Sequence, residues 1–247
     1  MTNSFTIEEN IKVLKEHGVV VIENAIDKED ALNYRNLILD YFDGGKNRCA
    51  GYKDGSQTIR PDGINVEHFK NFTNLLDNEK LMGVLNGVTN NKLRWVHHFD
   101  IHLNFAGAKG WHSDAQMHHI KDKNLPLAFN NDDYKVYRVA IYLQDHTNDG
   151  GGLFVRPGSH INPSITDDYY IGTEVGDIVL FDARIRHMGG HYSGDRCTIY
   201  AAMGADNDWS KLHAQGAIDR QTKQNNQKEY VMKDYLTQKL NKLGIKY

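Results

Sequence analysis

The sequence predicts a mainly β fold with flanking helices: two sheets wrapped as a jelly roll, a double-stranded β-helix, with helices packed outside. Three observations point there. Short β-branched and aromatic runs recur between glycine turns through the second half of the chain, while the first third carries apolar residues at helical spacing. The length of 247 residues suits one barrel or sandwich, and no linker divides it, so residues 1–247 are expected to form a single domain.

From the N-terminus, Thr6 to His17 places Ile7, Ile11, Val13 and Leu14 at helical spacing and stops before Gly18, which predicts a helix. Val19-Val20-Val21-Ile22 is a β-branched run suited to a buried strand. Asp27 then reads as an N-cap, with Ala31, Tyr34, Leu37, Ile38, Tyr41 and Phe42 continuing a helix. Gly44 to Gly63 reads as a long irregular connection, and Val66 to Leu85 as another helix ending near Gly87 and Asn90.

Residues Trp95 to Phe105 alternate. Trp95, His97, Phe99, Ile101, Leu103 and Phe105 form a mostly apolar face, opposite Val96, His98, Asp100, His102 and Asn104. The polar face lies either in water or in a wet cavity, and alternation alone does not choose. Further strands are expected at Tyr134–Leu143, Leu153–Val155, Asp177–Phe181 and Cys197–Met203, with a turn at Asn148-Asp149-Gly150-Gly151-Gly152 and a closing helix over Gln227–Leu243.

Hydrophobic residues at 40% and charged residues at 25% are ordinary globular values. A formal charge of −3 without a basic cluster argues against nucleic acid as a partner. No apolar run approaches a membrane span, and the N-terminus has no secretory signal pattern. Cys49 and Cys197, far apart in sequence, fit free thiols in a reducing compartment, so a cytoplasmic location is expected. The oligomeric state stays open.

The chemistry centres on Gly110-Trp111-His112-Ser113-Asp114. In an extended stretch His112 and Asp114 share one face, and His187, after the run Gly176 to Asp182, is the candidate third ligand. Two histidines and a carboxylate on one side of an octahedral metal make the facial triad of non-haem Fe(II) oxygenases, which leaves the opposite positions for oxygen and a cosubstrate. Arg196 is the natural anchor for a dicarboxylate, because its planar fork pairs with a carboxylate and stays charged. The same donors also suit a Zn(II) hydrolase or lyase, which leaves Arg196 without a task, or a binding module without turnover.

Arg138-Val139-Ala140-Ile141-Tyr142-Leu143-Gln144-Asp145, then Asp149 to His160, then Gly176 to Phe181 leading up to His187, resemble the phytanoyl-CoA dioxygenase family of Fe(II)/2-oxoglutarate oxygenases. Gly18 to Ile22 followed by a helix is similar to that family's N-terminal segment, so the likeness covers most of the chain. The resemblance implies a cupin-like core with His112, Asp114 and His187 on Fe(II), Arg196 on the far carboxylate of 2-oxoglutarate, and O2 as the oxidant. It also implies decarboxylation of 2-oxoglutarate to succinate coupled to hydroxylation of an unactivated C–H bond. Desaturation or cyclisation starts from the same hydrogen abstraction. Related halogenases replace the ligating carboxylate with a small residue, whereas Asp114 is present here.

Within the family, Trp111-His112-Ser113-Asp114 with His119 and Pro126 is similar to the ectoine hydroxylase signature. Asn104 falls where that branch has a cosubstrate-binding Asn, which favours the cavity reading of the polar face. Asp100 and His118 stand where the branch has Gln and Trp, so the likeness bears on the metal chemistry more than on ectoine itself. His98, Asp100, His102 and His118 are the candidate substrate contacts; they point to a small polar molecule, an amino acid or a derivative bearing an amine. An acyl-CoA fits less well without a basic patch for its phosphates.

Overall fold

The computed structural model describes residues 5–42, 50–51, 57–59, 67–103, 110–116, 128–191, 196–224 and 229–247. Helix α1 (Ile7–His17) opens on a capping box: Thr6 Oγ1 accepts from the Glu9 N–H at 3.2 Å, and Glu9 Oε2 accepts from the Thr6 N–H at 2.7 Å. It closes on Gly18 at φ +77°, where a Cβ would stand 2.4 Å from His160 Nδ1, so both the turn and the contact require glycine. Strand β1 (Val19–Ile22) follows at once, and Asp27 Oδ1 accepts from the Glu29 N–H at 2.8 Å to start α2 (Lys28–Phe42).

The expected helix over Val66–Leu85 is two pieces. A 3-10 stretch, Glu67–Asp77, gives way at Asn78, whose extended backbone and Oδ1, accepting from the Leu81 N–H at 2.9 Å, begin α3 (Glu79–Thr89) anew. Within the expected irregular connection the chain forms β2 (Ala50–Gly51) and β3 (Gln57–Ile59), which pair with each other, and β3 pairs onward with β4 (Leu93–Leu103). The remainder of Gly44–Gly63, Cys49 included, lies outside the described residues.

The later strands are β5 (Val136–Tyr142), β6 (Leu153–Val155), β7 (Tyr169–Ile171), β8 (Ile178–Asp182), β9 (His187–Gly189) and β10 (Cys197–Ala205). They make a seven-stranded sheet, β1-β8-β5-β10-β4-β3-β2, and a three-stranded sheet, β7-β6-β9, antiparallel throughout. This is the expected jelly-roll arrangement. Alternation assigns the two faces of the large sheet: Val20, Ile22, Val139, Ile141, Ile178 and Leu180 pack under α1, α2 and α3. Val19, Ala140, Tyr142, Val179 and Phe181 meet Leu153, Val155 and Ile171 of the small sheet.

On β4, Trp95, Phe99, Ile101 and Leu103 join the core under the helices. His98, Asp100 and His102 are also buried, so the polar face does not meet open water. Between Ala201↔Phe99 and Met203↔Trp95, β4 spends three residues where β10 spends one, and His97 within this bulge has φ +51°. Its Nδ1 lies 3.2 Å from Tyr230 Oη, and its carbonyl accepts from Gln221 Nε2 at 2.6 Å.

Burial, aided by the charge of Arg94, pushes the His97 imidazole down to about 4. The unfolded chain takes up that proton near pH 6.5, so the folded state is favoured fully above pH 6.5 and loses the advantage as pH falls toward 4. That loss is on the order of 3 kcal/mol once both states are protonated. Urea midpoints measured from pH 7 to 4 should fall more steeply for the native sequence than for His97→Asn, which tolerates the positive φ but does not titrate. Parallel curves would show that His97 makes no such contribution.

Two helices close the chain. Helix α4 (Asp208–Gln224) is capped by Asn207, whose Oδ1 accepts from the Ser210 N–H at 3.1 Å, and packs across β4. It was not among the expected elements. The expected closing helix over Gln227–Leu243 is shorter, α5 (Asp234–Lys242), seated by Leu236 and Leu240.

Candidate metal centre

His112 and His187 are direct antiparallel partners. The His112 N–H donates to the His187 carbonyl at 3.0 Å, and the reverse bond is 2.9 Å. This bridge extends β9, and the ring centroids lie 4.3 Å apart. After His112 the chain does not continue extended, as the sequence reading assumed; Asp114 begins a short 3-10 turn, Asp114–Gln116. Ser113 fixes that turn, its Oγ donating to the Ala183 carbonyl at 3.0 Å, and the Ala115 N–H donates to the same carbonyl at 2.8 Å. Asp114 therefore still reaches both histidines: its Oδ1 is 3.9 Å from Nε2 of His112 and 3.9 Å from Nε2 of His187. One donor atom from each residue lies within 4.8 Å of the others.

The hydrogen bonds also select the tautomers. Nδ1 of His112 lies 3.1 Å from the Gly110 carbonyl, and Nδ1 of His187 lies 3.1 Å from the Ile185 carbonyl. A carbonyl only accepts, so both Nδ1 atoms carry hydrogen, and Nε2 is the nitrogen each ring can offer to a metal. Burial, opposed by the Asp114 charge, holds the His187 imidazole down at about 4, which leaves it neutral near pH 7. Burial opposes ionisation of Asp114, but the Arg138 guanidinium and the surrounding histidines outweigh it and keep the carboxyl well below the usual range. Arg138 Nε donates to Asp114 Oδ2 at 2.5 Å, leaving Oδ1 toward the imidazoles. Two imidazoles held by Nδ1 so that each can present Nε2, and one ionised carboxylate, fit Fe(II).

Arg196 stands immediately before β10 and is 2% exposed. Its Nε donates to the Gly151 carbonyl at 3.1 Å, and its Cζ lies 5.2 Å from the centre of the Tyr142 ring. Asp149 Oδ1 accepts from the Gly151 N–H at 2.7 Å, so the glycine turn orients the carbonyl that orients Arg196. Tyr142 belongs to the core between the sheets, as does Phe181, whose ring lies 4.9 Å from that of His187. Arg196 thus lies against the same core between the sheets that Phe181 joins to His187.

His98, Asp100 and His102 lie together on the same interior face. Asp100 Oδ2 is 3.3 Å from His98 Nε2 and 3.8 Å from His102 Nε2. His98 feels the charge of Asp114 as well as that of Asp100, so this cluster lies near the triad. Asn104, His118, His119 and Pro126 lie outside the described residues. Sequence reading missed two residues. Arg138 stands alone in an apolar strand, and a buried arginine requires a carboxylate, which was the available signal. Arg220, 3.4 Å from Asp100 Oδ2, lies on the unanticipated α4.

Comparison with known proteins agrees with this geometry. The family model described as phytanoyl-CoA dioxygenase (PhyH) matches residues 14–197. No curated protein sequence matches the chain. Among solved structures, the non-heme alpha ketoglutarate dependent epimerase SnoN from nogalamycin biosynthesis is similar at 14% identity and a TM-score of 0.60, covering 81% of this chain and 83% of its own. A structure of SnoN in complex with Fe3+, alpha ketoglutarate and nogalamycin RO gives 0.61 at the same identity. The carbocyclase SnoK from the same biosynthesis gives 0.60 at 14% identity, covering 82% of this chain and 87% of its own. At such identity the two neighbours establish the fold, while the family model spans most of the chain. The chain belongs to the phytanoyl-CoA dioxygenase family of non-haem iron, 2-oxoglutarate-dependent enzymes.

Proposed function

We propose that the protein hydroxylates an unactivated C–H bond of a small polar metabolite, in the manner of the ectoine hydroxylase branch, with 2-oxoglutarate converted to succinate and CO2. His112, Asp114 and His187 hold Fe(II), and Arg196 holds the far carboxylate of 2-oxoglutarate with Asn104 as a second contact. The observation that carries this reading is the cluster of one carboxylate oxygen and two imidazole Nε2 atoms within 4.8 Å of one another. The chain acts as one domain, and the buried, reduced Cys197 thiol suits the cytoplasm. No helix among the described residues is long and apolar enough to cross a membrane.

When bound, the iron supplies O2 activation driven by oxidation of the 2-oxo acid. The protein's own part is positional. Gly110 and Ile185 hold the Nδ1 protons away from the metal side, and Arg138 keeps one Asp114 oxygen occupied so that the carboxylate offers the other. Arg196, fixed by Gly151 and Tyr142, orients the 2-oxo acid by its distal end, and the apolar shell of Phe181, Val179 and Leu153 limits water around it.

Adding 2-oxoglutarate to the Fe(II)-loaded protein without oxygen should produce a weak visible charge-transfer band, and substrate with oxygen should then give succinate together with a one-oxygen mass gain. An unchanged spectrum in protein shown by metal analysis to contain iron would sink the proposal.

A further inference from the structure

Arg184 and Arg220 both touch an aspartate, but they use their guanidiniums differently. Arg184 Nε and Nη2 donate to Asp182 at 3.0 and 2.8 Å, and its Nη1 donates to the carbonyls of Ala128 and Asn131, each at 3.2 Å. Every arm of that fork is engaged, as befits a structural pair. Arg220 reaches Asp100 with Nη2 alone, at 3.4 Å, and the same nitrogen lies 3.0 Å from His98 Nδ1. Its Nε is buried and has no hydrogen-bond partner.

The contacts also fix the charge around it. A guanidinium only donates, so His98 Nδ1 accepts, and the single His98 proton sits on Nε2, 3.3 Å from Asp100 Oδ2. His98 is neutral in this arrangement. Asp100 Oδ2 is already shared by His98, His102 and Arg220. Around His98 the carboxylates of Asp100 and Asp114 stand with the guanidiniums of Arg138 and Arg220, and Arg138 is already committed to Asp114 at 2.5 Å.

We infer that Arg220 is the anchor for a carboxylate of the substrate, so that the enzyme selects small acids, including amino acids, by their carboxylate rather than by their amine. The inference rests on the proposed function and names the substrate class for the same interior. With 21% of its side-chain surface exposed, Arg220 remains reachable. A carboxylate there gains the unused guanidinium donors in a partly desolvated place, where leaving them unmatched is costly.

The test uses matched sets of free amino acids, their primary amides and the corresponding decarboxylated amines, with substrate-dependent succinate release as the readout. The acids should exceed their amides at least tenfold in kcat/KM. Arg220→Gln should bring acid and amide within about twofold, chiefly through the KM of the acid, and Arg220→Lys should restore part of the preference because it keeps the charge without the fork. Amides or amines that match the acids in the native enzyme, or no acid in the set that raises succinate release, would overturn the inference. So would an acid preference that survives Arg220→Gln. A native enzyme that shows the visible band with 2-oxoglutarate alone yet ignores the carboxylate overturns the Arg220 assignment only; a missing band overturns the iron and 2-oxoglutarate reading as well.

Discussion

Asp114→Ala is expected to abolish iron-dependent succinate formation and also to lower the stability of metal-free protein. The first effect follows from losing one of three donors and the anionic one, which leaves two neutral imidazoles to hold a dication. The second follows from Arg138, whose side chain is 4% exposed and whose Nε donates to Asp114 Oδ2 at 2.5 Å. Removing the carboxylate strips a buried guanidinium of its counter-charge, which costs on the order of 3 kcal/mol. For a chain of this size that is roughly 6–12 °C in thermal midpoint. Adding Arg138→Met to Asp114→Ala removes the stranded charge, so the double variant should regain most of the midpoint while staying inactive. A single variant as stable as the native protein in chelator would show that the ion pair contributes nothing to folding, and retained tight iron binding would remove Asp114 from the metal site.

Arg196→Ala is the second large effect: the KM for 2-oxoglutarate should rise on the order of 100-fold or more, since a dianion would be left with one end desolvated and unpaired. Arg196 is oriented by the Gly151 carbonyl and lies against the Tyr142 ring. Arg196→Lys keeps the charge but cannot reproduce two parallel donors, so it should fall between the two. Binding of 2-oxoglutarate to Fe(II)-loaded protein, followed by the visible band, reads this without any substrate. An unaltered titration in Arg196→Ala would move the cosubstrate anchor elsewhere.

The candidate triad was legible from residue types restricted by chemistry, whereas the period-two argument that put His112 and Asp114 on one face did not hold, because Asp114 begins a 3-10 turn. The strands β1, β5, β8 and β10 lie close to where β-branched runs and glycine turns put them. Helix α4 was not legible. Its buried stripe runs Ser210, His213, Ala214, Ala217 and Gln221, at helical spacing but small or polar, so hydrophobic periodicity is silent. Arg220 went unseen for that reason. The break at Asn78 was hidden because apolar spacing continues across it, and only the cap, a local hydrogen bond, divides the helix. The alternation of β4 also hid its bulge: the sequence carries His97 as an ordinary inward residue, while its positive φ appears only against the register of β10.

The spacing of the two imidazoles is written into a backbone ladder, since His112 and His187 exchange both main-chain hydrogen bonds. Among the described residues, an ion at this site has no chain to gather between the two histidines, unlike one that nucleates its own small domain. The metal can therefore leave and be reloaded with the scaffold intact, and a batch stripped during purification should be recoverable by adding ferrous salt rather than by refolding.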